Sequence, residues 1–328
     1  MEKYQPFSDK KHGVNPFAPP GNVKYGNIVG RFFKNLCIFP IRALRLGLFA
    51  IFFLWLLAMT LLANFFILAP IIKRGIKNYT TNLYCRLFMI TIGNMNGFLA
   101  KYSVTKPGLR SLQTDSLPDH GDLVFVTYSS IFDLVGINQI KRGDFYFPKF
   151  ISGHKTGFLT NLALTIFTHY QYNKKPQNEG TTKLIELLHK AKKKKNGPVY
   201  VLFEGCPTNG KAILSPNGFY HNLLQSKLPG KVWFLESEVK DEKYIATTLP
   251  LLKWIWKSTK MYGGSGYSCS LSKLSVESLI DDDSWFEELM EGIIDNSTKE
   301  ISHLTVDDFQ DFQHFYKEKN RKRKRNIE

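Results

Sequence analysis

The chain has 328 residues, 43% of them apolar and 14% aromatic, with 44 Lys and Arg against 28 Asp and Glu. That length suffices for one or two domains with a full core, and the apolar fraction excludes an intrinsically disordered chain. The four cysteines, Cys37, Cys85, Cys206 and Cys269, are too widely spaced for a disulfide scaffold and contain no Cys-x-x-Cys pair, so a reducing compartment and no metal are expected, while the net charge of +16 asks for an anionic membrane or a nucleic acid.

Residues 1–45 are a basic segment in which Ile28–Leu44 interleaves apolar residues with Arg and Lys, the pattern of an interfacial helix lying against headgroups. Residues 46–72, LGLFAIFFLWLLAMTLLANFFILAPII, then run for 27 positions without a formal charge. A membrane-spanning helix needs roughly 20 apolar residues. The run starts too late for a secretory signal peptide, and no small-residue cleavage site precedes Lys73. Arg31, Lys34, Arg42 and Arg45 flank it on one side, and Lys73, Arg74, Lys77 and Arg86 on the other, so the positive-inside rule gives no orientation. Asn64 and Pro70 are breaking positions, and the tie in charge tips the expectation slightly toward a re-entrant hairpin over a single span. The tripeptides Asn78-Tyr79-Thr80 and Asn296-Ser297-Thr298 match the N-glycosylation pattern and are read as chance occurrences facing the cytosol.

Residues 80–275 read as an α/β domain. Leu123–Val126 is a buried strand after the turn Pro118-Asp119-His120-Gly121, and Phe145–Ile151 is a second, aromatic strand. The stretch 163–172 fits a helix end or a strand. Thr181–Lys195 has Leu184, Ile185, Leu187, Leu188 and Ala191 at helical spacing. Pro198–Phe203, Val232–Leu235 and Ile245–Leu251 supply further strands. Alternation of strands with helices predicts a mixed sheet flanked by helices. Residues 276–328 are set apart as C-terminal helices and a basic tail. Thr305–Asp308 resembles a capping box, and Val306, Phe309, Phe312 and Tyr316 fall on one helical face, a stripe that means packing. The tail KEKNRKRKR, 317–325, is the one feature that favours nucleic acid, and the long apolar run argues against that partner.

Two loops stand at the carboxyl ends of strong strands, where ligands gather in open α/β sheets. One is 127–133, TYSSIFD; the other is 203–211, FEGCPTNGK. Gly205 and Gly210 permit close backbone approach, Thr208 and Asn209 donate hydrogen bonds, and Lys211 adds charge, a set that suits a phosphate. Glu204, an acid directly after a buried strand, needs a partner and is read as a site residue. Asp133 is divided evenly between a site role and a helix cap. Cys206 is read as a small packing residue.

The order of membrane segment, strand-loop-Asp and strand-Glu-Gly resembles the glycerolipid acyltransferases that make phosphatidic acid. Their first motif is Asn-His-x-Ser-x-x-Asp and their third is Phe-Pro-Glu-Gly-Thr-Arg-Ser; Ser130 and Asp133 match the one, Glu204 and Gly205 the other. Thr127 and Tyr128 stand where the family has Asn and His, Phe203 and Pro207 where it has Pro and Arg, and Thr208 at the Ser. The resemblance implies a glycerol-3-phosphate acyltransferase-like fold. It also implies transfer of an acyl chain from acyl-CoA, a co-substrate with no further cofactor, to the sn-2 hydroxyl of lysophosphatidic acid. The setting it implies is the endoplasmic reticulum membrane or a lipid droplet, with the domain in the cytosol. Tyr128, Ser130 and Asp133 take the catalytic positions; Glu204, Gly205, Thr208, Asn209 and Lys211 take the substrate-binding ones. In the family the His accepts the proton of the attacking hydroxyl. A phenol titrates near ~10 and is a poor base at neutral pH, so His154, then His169 and His120, are the alternatives for that role. A lipid-binding protein that kept this fold and lost its base is the competing expectation.

Overall fold

The structure, a computed structural model, describes residues 7–8, 15–17, 28–65, 70–91, 102–104, 117–129, 133, 137, 141, 143–146, 181–206, 208–215, 226–239, 267–274, 279–280, 284–305, 308–309, 311–312, 314–316 and 318. Two helices open it. Helix α1, Ile28–Phe65, joins the expected interfacial and membrane segments into one rod, with Pro40 inside it. Its part Phe39–Phe65 is 27 residues long, about 40 Å at 1.5 Å per residue, against an apolar bilayer core of about 30 Å. Among the described residues this is the helix long and apolar enough to cross a membrane. Phe39, Leu44, Ile51, Leu54, Leu61 and Phe65 are exposed along it, and Leu56 and Ala63 are buried.

Helix α2, Pro70–Thr91, packs against α1. Helix α1 ends at Phe65, one residue beyond Asn64, near where the sequence suggested a break, and Asn64 Oδ1 accepts a hydrogen bond from Lys77 Nζ of α2 at 3.1 Å. Pro70 opens α2 at a position where its missing N–H leaves no helical bond unmade. The apolar run is thus divided between two helices that pack on each other, and its last three residues belong to α2, which carries Lys73, Arg74, Lys77 and Arg86.

The remainder is mixed α/β. Its main sheet has six strands: β1 (Tyr102–Val104), β2 (Leu123–Val126), β3 (Asp144–Tyr146), β4 (Val199–Leu202), β7 (Val232–Val239) and β8 (Tyr267–Lys273). The order is β1-β8-β7-β2-β4-β3. Strands β3, β4, β2 and β7 are parallel, with Val126 level with Leu202 and Leu235. Strand β8 is antiparallel to β7 and parallel to β1, which makes the sheet mixed as expected. Two small sheets accompany it. Strand β5 (Ala212–Leu214) pairs in parallel with β10 (Glu300–Ser302), and β6 (Ser226–Lys227) pairs antiparallel with β9 (Leu279–Ile280).

Leu123, Phe125, Val199, Val201, Val232 and Phe234 point to one face of the sheet, because alternate side chains share a face. Helices α3 (Thr181–Lys194) and α4 (Ser284–Asn296) cover that face with Leu184, Leu188, Trp285, Leu289 and Ile293. Each fully buried side chain of this size contributes about 1.5–3 kcal/mol. Helix α4 shares this core with the strands. A second cluster joins Phe17, near the start of the chain, to Cys206, Leu214, Leu304, Phe309 and Phe312. The capping box forms as read: Asp308 Oδ2 accepts from Thr305 N at 2.7 Å and from its hydroxyl at 3.0 Å. Of the other expected elements, 147–151, 163–172 and 245–251 lie outside the described residues.

Candidate functional site

The parallel register brings the two loops together. Thr127, Phe203 and Glu236 each follow a residue of the level row Val126, Leu202 and Leu235. Glu204, one residue further on, turns back across the gap. Its Oε2 accepts from Tyr128 N at 2.6 Å, and its Oε1 accepts from Leu214 N at 3.1 Å. Thr208 N donates in return to Tyr128 O at 2.9 Å. Gly205 and Gly210 adopt φ of 72° and 73°, the left-handed region that favours glycine, and they bend the chain so that this closure is reached. A Cβ on Gly210 would meet Ser129 Cβ at 3.8 Å, so the two loops touch there as well.

Burial dominates the electrostatics. The Glu204 carboxyl is pushed up from 4.5 to about 7 by burial, and the Tyr128 amide, the Lys299 ammonium and the Leu214 amide pull it partly back. Tyr128 is buried, and burial, followed by the Asp133 carboxylate and Cys206, pushes its phenol up as well. That shift runs opposite to the one a general base requires. Cys269 is pushed up to about 12 by burial and by Asp133, so its thiol is inert at neutral pH.

Asp133 is fully buried in a helical conformation, and its Oδ2 accepts from Ser129 N at 2.7 Å and from Ser129 Oγ at 3.2 Å. These bonds run back to Ser129 rather than forward to the amides of a helix that follows, so Asp133 fixes the backbone immediately after Tyr128. Ser130 lies outside the described residues, as do His154 and His169. His120 sits before β2, where its Nδ1 accepts from Gly197 N at 2.8 Å. The four residues of β2 separate it from the loops by about 13 Å, which removes it as an alternative base.

The phosphate-loop residues divide. The Thr208 hydroxyl accepts from Gly210 N at 3.3 Å, Asn209 Oδ1 accepts from Lys211 N at 3.2 Å, and Asn209 Nδ2 donates to Asn15 O at 2.7 Å. Both side chains are buried, and these bonds are made within the protein. Lys211 is exposed and Gly210 half-buried, so this end of the loop is the part open to a ligand. Cys206 is buried among Phe17, Leu214 and Phe309, the packing role expected of it.

Two residues that sequence reasoning passed over stand beside the loops. Glu236 is buried and accepts from Thr298 N at 3.0 Å and Thr298 Oγ1 at 2.9 Å, and Lys299 Nζ lies 3.6 Å from its Oε1. The same Nζ donates to Ser237 O at 2.9 Å. Lys299 thus faces Glu236 directly and also favours the charged form of Glu204. Within the second glycosylation tripeptide, the Thr298 hydroxyl is tied to buried Glu236 and Asn296 Nδ2 donates to Gly292 O at 2.7 Å, which gives these residues a structural use. Among the described residues no three His, Cys, Asp or Glu converge as metal ligands.

Comparison of the chain with known protein families, with characterised proteins and with solved structures found no match.

Proposed function

We propose that the protein is an acyl-CoA-dependent acyltransferase with a glycerol-3-phosphate acyltransferase-like fold, converting lysophosphatidic acid to phosphatidic acid. The observation that carries this reading is the bond from Tyr128 N to Glu204 Oε2. It joins, at one edge of the parallel strands, the two loops on which the family resemblance rests, 76 residues apart in sequence. Helix α1 holds the domain at the bilayer that contains the acceptor, in the endoplasmic reticulum or on a lipid droplet. Lys211, exposed at the end of the glycine-bounded loop, faces the acceptor phosphate. The acceptor oxygen attacks the thioester carbonyl carbon, the C–S bond breaks, CoA leaves as the thiolate, and the hydroxyl proton passes to a base. Tyr128 is unsuited to that last task. His154 is the first choice for it on sequence grounds, and Asp133 holds the loop against which the reaction takes place.

The test follows labelled oleoyl-CoA and lysophosphatidic acid on the full chain in detergent, beside Glu204→Ala and His154→Ala. Phosphatidic acid formed by the wild type and reduced by about 10²–10⁴ in His154→Ala supports the reading and the base. A wild type without turnover defeats it. The burial of Tyr128 at the position of the family's His favours one competing reading, a lipid-binding protein that has lost the reaction. It predicts that lysophosphatidic acid binds and is recovered unchanged.

A further inference from the structure

The loop 204–211 is held from two sides. On one, Thr208 N donates to Tyr128 O. On the other, Asn209 N donates to Pro16 O at 2.7 Å and Asn209 Nδ2 donates to Asn15 O at 2.7 Å. Asn15 turns its own side chain inward, with Oδ1 accepting from Phe17 N at 2.9 Å. Phe17 is fully buried, with its ring 5.3 Å from that of Phe309 and 5.7 Å from that of Phe312. Phe7 adds a third layer, its ring edge-on to Phe312 at 5.3 Å. Between Thr208 and Lys211 the loop's own bonds are local ones, Gly210 N to Thr208 Oγ1 and Lys211 N to Asn209 Oδ1. Glu204 and Thr208 tie the loop to Tyr128, and the bonds of Asn209 to Asn15 and Pro16 hold its other side.

We infer that the segment Asn15–Phe17 is a positioning element of the candidate site, a latch that holds the loop 204–211 against Tyr128. Two backbone carbonyls grip Asn209, and Phe17, seated among the aromatic rings of the C-terminal residues, keeps those carbonyls in place. The ten residues between Phe17 and Ile28 span at most about 36 Å when fully extended. The latch is therefore tethered within that distance of the start of α1, and the chain that enters the membrane helix is the same chain that sets the loop. This gives the N-terminal residues a part in acceptor binding, and in that respect the inference rests on the reaction proposed above.

The experiment compares amide hydrogen exchange in the full chain in detergent for the wild type, Phe17→Ala, Phe17→Leu and Asn209→Ala. In Phe17→Ala and Asn209→Ala the amides of Thr208, Gly210 and Lys211 are expected to exchange about tenfold faster or more, while those of β2 and β7 keep their rates. Phe17→Leu, which retains an apolar plug, restores most of the protection. In the acyl-transfer assay the KM for lysophosphatidic acid rises several-fold in Phe17→Ala and that for oleoyl-CoA stays unchanged. Loop amides that do not respond overturn the latch, and so does a rise shared equally by β2 and β7, which marks a general loss of stability. Exchange needs no turnover, so an inactive wild type counts against the reaction while the latch stands or falls on the exchange rates.

Discussion

Glu204 meets two opposed demands. Each of its oxygens accepts a backbone N–H, which an ionised carboxylate does best, whereas complete burial favours the neutral acid, and burial prevails with a value of about 7. Because that value lies above the ordinary 4.5, the folded protein binds the proton more tightly than the unfolded chain. The resulting stability is present below pH ~4.5 and is lost as pH rises toward 7, by about 3 kcal/mol at most. The melting temperature in detergent is expected to fall between pH 5 and pH 7.5 and to level above. Glu204→Gln has no such fall; if its curve declines in parallel with the wild type, other groups carry the dependence. Lys299→Met leaves Glu236 buried without its cation, a change of about 3–5 kcal/mol, and it moves the Glu204 window to higher pH. A melting temperature unchanged in Lys299→Met contradicts the pairing. Glu204 was legible in the sequence because an acid at the end of a buried apolar strand cannot stand alone. Glu236 and Lys299 were not. Neither LESEV nor STKE carries any local mark of burial, and the two come together only through the fold.

At the scale of elements, one aspartate organises the amino ends of the strands. Asp122 is buried, and it accepts from Asp119 N at 2.7 Å, Lys231 N at 2.8 Å and the Trp233 indole at 2.9 Å. Asp122→Ala strips three donors of their acceptor at once. A loss of about 2–4 kcal/mol is expected, counting each unmade bond at about 1 kcal/mol or more; denaturant midpoints equal to the wild type would deny Asp122 this role. Gly121 beside it has φ of 81°, and a Cβ there would stand 2.6 Å from Lys192 Cβ, which fixes the approach of α3 to the sheet. Strands β2 and β4 and helix α3 were legible because apolar runs and helical spacing are local signals. Strand β7 reads only as far as Leu235, where Glu236 and Glu238 interrupt the pattern, yet it continues to Val239 because β8 pairs with it along that length. Strand β8 itself, YSCSLSK, has a serine at every second position, and its place is set by the neighbours β7 and β1. Helix α4 carries acidic residues, and its core contacts, Trp285, Leu289 and Ile293, recur at four-residue intervals between them.

At the scale of the molecule, one group of exposed lysines stands at the end opposite the site. Lys192–Lys195, Lys231 and Lys273 are exposed at the amino ends of the parallel strands, whereas the two loops lie at the carboxyl ends. Strand β2 alone separates them by about 13 Å, beyond the screening length of about 8 Å at physiological salt. Neutralising Lys192–Lys195 with glutamine is accordingly expected to leave the KM for lysophosphatidic acid within about twofold; a larger rise would show that this rim does steer the substrate. Helix α1, by its length and its exposed apolar side chains, is expected to keep the protein in the membrane fraction at alkaline pH, and a variant lacking Phe39–Phe65 to leave it. Whether the convergence of the β2 and β4 loops makes a reaction centre decides between an enzyme and a lipid-binding protein. The most direct measurement is acyl transfer from oleoyl-CoA to lysophosphatidic acid by the purified full chain, wild type beside Asp133→Ala, with lysolipid binding followed on the same samples. Turnover in the wild type that falls at least tenfold in Asp133→Ala while lysolipid still binds is the predicted result. Lysolipid bound by the wild type without any phosphatidic acid formed contradicts it.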